Sequence, residues 1–171
     1  TTGTISFFDG ANFLGAAAVS GGQATLSFSG FDAGSHAVTA VYSGDSNFTG
    51  STTQTLTQNV NAMPTVATVD SLNSSYTYGD LVPLAATVSS GLGGVDHGTV
   101  SFYDGITLLG SAGGQNGTTA SYSMSSLGAG SHSITAVYQG STNFAASSPS
   151  EVANFTIEQA VPAVGVVSSN D

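Results

Sequence analysis

The chain contains no lysine, no arginine, no cysteine and no tryptophan in 171 residues. Without a basic side chain to neutralise phosphate, it has nothing with which to hold a nucleic acid, and an anionic membrane surface would repel it. Without cysteine it forms no disulfide and does no thiol chemistry, which by itself assigns no compartment. Without lysine it can be stapled by no lysine–asparagine amide bond, and neither a Schiff-base nucleophile nor a cationic anion-stabiliser is available. Only 6% of residues are charged, and the only two glutamates are Glu151 and Glu158. No apolar run approaches the roughly 18 residues that span a bilayer, and no leader-like segment stands within the sequence.

What remains is glycine, serine and threonine around short apolar stretches. There are 23 glycines, hydrophobic residues make up 40%, and ten acidic groups give a net charge of −10. This mixture favours many short strands joined by tight turns. Surface solubility rests on hydroxyls and amides. Sheet edges, which lysine usually guards, are left open to edge-to-edge association.

A repeat organises the chain. Gly-Thr-Ile-Ser-Phe-Phe-Asp-Gly at 3–10 returns as Gly-Thr-Val-Ser-Phe-Tyr-Asp-Gly at 98–105. Ala-Gly-Ser-His-Ala-Val-Thr-Ala-Val-Tyr at 33–42 returns as Ala-Gly-Ser-His-Ser-Ile-Thr-Ala-Val-Tyr at 129–138, and Asn47-Phe48 as Asn143-Phe144. Pro64, Val66, Val69 and Ser71 are matched more weakly by Pro162, Val164, Val167 and Ser169. A period near 96 residues is the size of one β-sandwich, not of a solenoid unit. The phase predicts a first domain over 1–62 that lacks its opening two strands, a complete domain over 63–160, and a leading or donor strand over 161–171.

Alternation sets the strands. Val100 and Phe102 share one face of 98–104. His132, Ile134, Ala136 and Tyr138 share the core face of 131–138, as His36, Val38, Ala40 and Tyr42 do in the first copy. Further strands are expected at 13–19, 23–29, 53–60, 64–72, 82–89, 106–112, 118–124 and 151–158. Asp9-Gly10, Asp104-Gly105 and Asn116-Gly117 are hairpin signals. The fold class that follows is all-β: tandem immunoglobulin-like antiparallel sandwiches with Greek-key connections.

The paired motifs at 3–10, 33–42, 98–105 and 129–138 resemble those of the bacterial immunoglobulin-like repeat family. The resemblance covers almost the whole chain. It implies an Ig-like fold in long arrays on large secreted or surface-anchored proteins, and no catalytic residue to carry over.

Few residues invite a chemical role. His36 and His132 each precede an alternating strand, at the corner where many Ig domains place a tyrosine bonded to nearby backbone; a structural corner role is expected of both. Asp9, Gly10, Asp104 and Gly105 are expected as turn formers. One histidine per domain is too few for a metal site, and the loop around Asp45 offers a single carboxylate, so no metal or other cofactor is expected. Tyr76, Tyr78 and Tyr103 are expected to pack across strands. Sequons at Asn47, Asn73, Asn116 and Asn154 are close to chance frequency.

Function therefore points to a non-enzymatic spacer on an extracellular filament or surface adhesin stalk. Its expected partners are adjacent Ig-like repeats or further copies of itself. A head-to-tail filament would use the tail as an inter-subunit strand, with Val161, Val164, Val166 and Val167 filling part of the first domain's open slot. The alternative is a module that recognises a glycan or host protein through loops 43–50, 91–97 and 139–148.

Overall fold

A computed structural model describes residues 2–95, 97–113 and 119–165. Every regular element among them is a strand, and the chain divides into two compact units, Thr1–Ala62 and Met63–Asp171.

The first unit is built on one sheet. Strands β1 (Thr4–Asp9) and β2 (Asn12–Ala18) form a hairpin, and β1 also pairs with β3 (Gly34–Tyr42). The far edge of β3 is shared by β4 (Ser51–Thr52) and β5 (Leu56–Val60). All pairings are antiparallel. Among the described residues of this unit none is buried.

The second unit repeats this sheet and adds another. Strand β6 (Thr65–Val69) is followed by β7 (Ser75–Thr77), β8 (Val82–Ser90) and the two-residue β9 (Gly93–Gly94). Then come β10 (Thr99–Asp104), β11 (Thr107–Gly113), β12 (Thr119–Met124), β13 (Gly130–Tyr138) and β14 (Ala153–Glu158). One sheet runs β11-β10-β13-β14-β7, the other β12-β8-β6, with β9 on the end of β8. Val82, Leu84, Ala86 and Val88 on alternate positions of β8 share one buried cluster with Val100, Phe102, Ile134, Ala136 and Tyr138 from the opposite sheet. Burial of apolar area on this scale, at roughly 25 cal/mol per Å², is what drives the two sheets together. Among the described residues the one buried polar side chain, Ser101, is satisfied by the Ser111 hydroxyl at 2.9 Å.

Equivalent strands keep the same register in both units. Phe7 lies opposite Ala40 as Phe102 lies opposite Ala136, and each first strand is irregular at the next residue, between Phe7 and Phe8 and between Phe102 and Tyr103.

Three expectations change. Residues 24–29 form no strand. Their counterpart β12 is held by β8, and no described strand of the first unit takes that place, so the segment has the alternation of a strand but no ladder. Ser75–Thr77, outside every strand expected from the alternation, is a strand that joins β14 in parallel. The two-residue turns are Gly10-Ala11 and Gly105-Ile106, with the aspartates as last strand residues. In each turn the glycine takes the positive φ (56° and 57°), which only glycine adopts without steric cost. The Asn116-Gly117 signal lies outside the described residues.

Candidate functional site

Each Asp-Gly turn is tied to the start of the adjacent strand. In the first unit Asp9 ends β1, and its Oδ1 accepts the Ala37 amide at 2.8 Å while Oδ2 lies 2.7 Å from His36 Nδ1. The Gly10 amide returns a bond to the Ala37 carbonyl at 3.0 Å. The second unit repeats the arrangement. Asp104 Oδ1 accepts the Ser133 amide at 2.9 Å, Oδ2 lies 2.7 Å from His132 Nδ1, and the Gly105 amide donates to the Ser133 carbonyl at 3.0 Å.

The other ring nitrogen is also committed. His36 Nε2 faces the Asp32 carbonyl, and His132 Nε2 faces the Gly128 carbonyl, both at 2.9 Å. Both partners of each ring are acceptors, so a proton on each nitrogen, hence an imidazolium, satisfies the site. The neighbouring carboxylate and the carbonyl raise the His36 pKa against a smaller opposing effect of burial. For His132 burial is the largest influence and opposes the charge, but Asp104 and the Gly128 carbonyl together outweigh it, so its pKa too is raised. The His36 hydrogen bond holds Asp9 below the usual carboxylate range. Asp104 is likewise lowered, because the bonds from His132 and Ser133 exceed its desolvation. Only 14% of the His36 side chain and 11% of the His132 side chain reach solvent. With every polar atom of the ring and carboxylate occupied by the fold, the pair acts as a clasp between a hairpin and the next strand.

Sequence reasoning placed both histidines and both aspartates but did not join them. The signal was present: Asp and His recur together, at 9 and 36 and again at 104 and 132, and β1–β3 pairing brings two such positions side by side.

A second shared feature explains the glycine that opens each motif. The Tyr138 hydroxyl donates to the His97 carbonyl at 3.0 Å and the Tyr42 hydroxyl to the Thr2 carbonyl at 2.7 Å. Gly98 (φ +102°) sits against the Tyr138 ring, and a Cβ there would lie 2.4 Å from it. At Gly3 (φ +96°) a Cβ would lie 2.6 Å from the Gly44 carbonyl oxygen and 2.8 Å from the Tyr42 ring.

The loop 43–50 is organised by Asp45, whose carboxylate accepts the Thr2 amide and hydroxyl and the Asn47 and Phe48 amides. These bonds hold its pKa far below the usual range. Phe144 packs against the second unit's core and bridges to Met63, whereas Phe48 is 56% exposed. Tyr76 packs edge-on to Phe155 at 5.4 Å, while Tyr78 is exposed. Val161 and Val164 are almost fully exposed and belong to no strand; Val166 and Val167 lie outside the described residues.

The most unusual surface is the face of the first sheet that is covered only by the irregular segment carrying Leu26, Phe28 and Phe31. Phe7, Leu14, Leu26, Phe31, Val38 and Leu56 line an open apolar depression of about 210 Å³. Phe102, Ile134 and Leu127, which stand where Phe7, Val38 and Phe31 do, are 0%, 0% and 7% exposed.

Two copies of one strand pattern, one closed into a two-sheet sandwich, define the class: a tandem of immunoglobulin-like β-sandwich repeats. The family model of the bacterial Ig-like domain (group 3) matches residues 1–61 and 69–158, and the chain belongs to that family. Domains of this kind are generally non-catalytic structural or binding modules, typically of surface or secreted proteins. No curated protein matches the sequence. Among solved structures, the fibronectin(III)-like modules of Clostridium thermocellum CbhA are similar at a TM-score of 0.48 and 16% identity, over 92% of this chain and 79% of that one.

Proposed function

We propose that the chain is a non-enzymatic structural repeat segment of an extracellular filament or surface stalk, and that its first unit is completed by strands from outside itself. One observation carries this reading: residues fully buried in the second unit, Phe102, Leu127 and Ile134, are only half-buried at the same positions of the first, Phe7, Phe31 and Val38. An apolar sheet face open to water favours whatever covers it. Edge and face together suit strand addition, in which backbone bonds give affinity and alternate side chains give specificity. Supplied head to tail, such strands build an open filament and not a closed ring. The exposed tail around Val161 and Val164 is available as one donor.

Electron microscopy of the native assembly tests the proposal. Filaments with an axial repeat near two domain lengths support it, and dispersed monomers oppose it. Deleting residues 160–171 tests the tail: filaments that persist unchanged exclude it as a donor. Selective retention of the chain on a glycan array would move the function to recognition.

A further inference from the structure

Within the sequence only Asp9 and Asp104 are aspartates followed by glycine. An Asp-Gly bond is prone to close on itself, because glycine leaves its own amide nitrogen unobstructed. That nitrogen attacks the aspartate Cγ. The carboxyl hydroxyl leaves with the amide proton as water, and a cyclic succinimide forms. Water then adds to either carbonyl of the ring. Opening at the α-carbonyl routes the backbone through the side-chain carbon, giving an isoaspartate with one extra methylene in the chain.

Neither turn can shed this sequence. Gly10 and Gly105 hold φ at +56° and +57°, and nothing lies within 4 Å of where a Cβ would stand, so conformation and not space requires the glycine. The aspartate is required by the clasp. Burial alone does not shield it, since 21% of the Asp9 side chain and 26% of the Asp104 side chain reach solvent.

The atoms that ring closure needs are all committed elsewhere. The Gly10 amide donates to the Ala37 carbonyl and the Gly105 amide to the Ser133 carbonyl, both at 3.0 Å. The same two residues, Ala37 and Ser133, donate their own amides to the aspartate Oδ1. One residue of the neighbouring strand therefore holds both reactants apart. To swing Cγ towards the glycine nitrogen, Oδ1 must release that amide and Oδ2 must release the imidazole 2.7 Å away. The leaving hydroxyl also needs a protonated carboxyl, and a bonded imidazolium favours the ionised form.

We propose that Asp9-Gly10 and Asp104-Gly105 are latent isomerisation sites, and that the histidine bond to each carboxylate keeps them unreacted. The clasp is thus a chemical guard as well as a mechanical tie. Isoaspartate at 104 would lengthen the backbone between β10 and its turn and withdraw the carboxylate from His132, so the first event at a site removes its own protection.

The test ages the full chain near neutral pH and follows isoaspartate at each site by fragmentation mass spectrometry of its peptides. Reading peptide by peptide keeps these sites apart from Asn116-Gly117, which reaches the same product by loss of ammonia. His132→Gln removes one charge-assisted bond, and isoaspartate at 104 should accumulate at least ~10-fold faster, with position 9 unchanged as the internal control. His36→Gln should do the reverse. Leu84→Ala opens a cavity in the opposite sheet and leaves the clasp bonds in place; it should show no such rise at 104. Equal accumulation at 104 in His132→Gln and the parent chain would overturn the proposal. So would a rise in Leu84→Ala matching that in His132→Gln, because it would assign the protection to global stability.

Discussion

Gln58 stands in the first unit where Phe155 stands in the second: each lies opposite the clasp histidine, His36 or His132, in the same antiparallel register. Phe155 is 3% exposed and stacks on His132 at 5.4 Å, whereas Gln58 is exposed and the His36 ring meets Phe31 at 4.3 Å. The polar choice at 58 fits a sheet without an opposing layer, and the aromatic choice at 155 fits a closed sandwich.

Core truncation should separate the two units. Ile134 is fully buried and Val38, its equivalent, is half-buried. Ile134→Ala is expected to cost 2–5 kcal/mol, roughly the range for a large side chain removed from a packed core. Val38→Ala should cost about 1 kcal/mol or less, because a smaller side chain is removed from a site that is only partly buried. Urea unfolding followed by NMR resonances of each unit measures both.

The glycine beneath the tyrosine should tolerate no side chain. Gly98→Ala adds a Cβ at positive φ against the Tyr138 ring, and we expect a loss of about 2 kcal/mol or more in the second unit. Gly113→Ala, where a Cβ meets nothing within 4 Å, should be near neutral. Thermal unfolding of the two variants makes the comparison.

The clasp should give stability a defined pH window. The folded-state pKa of His132 is raised above 6.5, so its contribution is fully present below 6.5 and fades as pH rises through the folded value. The folded-state pKa of Asp104 is lowered below 3.8, so its contribution is present above 3.8 and fades as pH falls through the folded value. Stability of the second unit should therefore be greatest between these limits. Asp104→Asn should weaken both slopes, and His132→Gln should remove the alkaline one. Denaturation midpoints from pH 2 to 9 measure the profile.

Much of this architecture is written in local pattern. The alternation of His132, Ile134, Ala136 and Tyr138 and its copy at 36–42 sufficed for the central strands, because a sheet with one buried face imposes a period of two. What escaped depended on distant partners. Residues 24–29 have the right alternation, yet a strand exists only where a neighbour takes its hydrogen bonds. Ser75–Thr77 is three residues long with one apolar side chain, and its partner β14 lies about 80 positions later. The Asp–His clasp joins residues 27 and 28 positions apart in the two units, and only the strand register shows that they meet.

The central claim is that one repeat is closed and the other open, and residue-resolved hydrogen exchange of the intact chain tests it most directly. Amides of β3 and β13 occupy equivalent positions and differ in whether a second sheet covers them. The account predicts exchange in Gly34–Tyr42 at least ~10-fold faster than at matching positions of Gly130–Tyr138, because local opening of the uncovered sheet costs less free energy. Equal protection of the two strands in the isolated chain would contradict it.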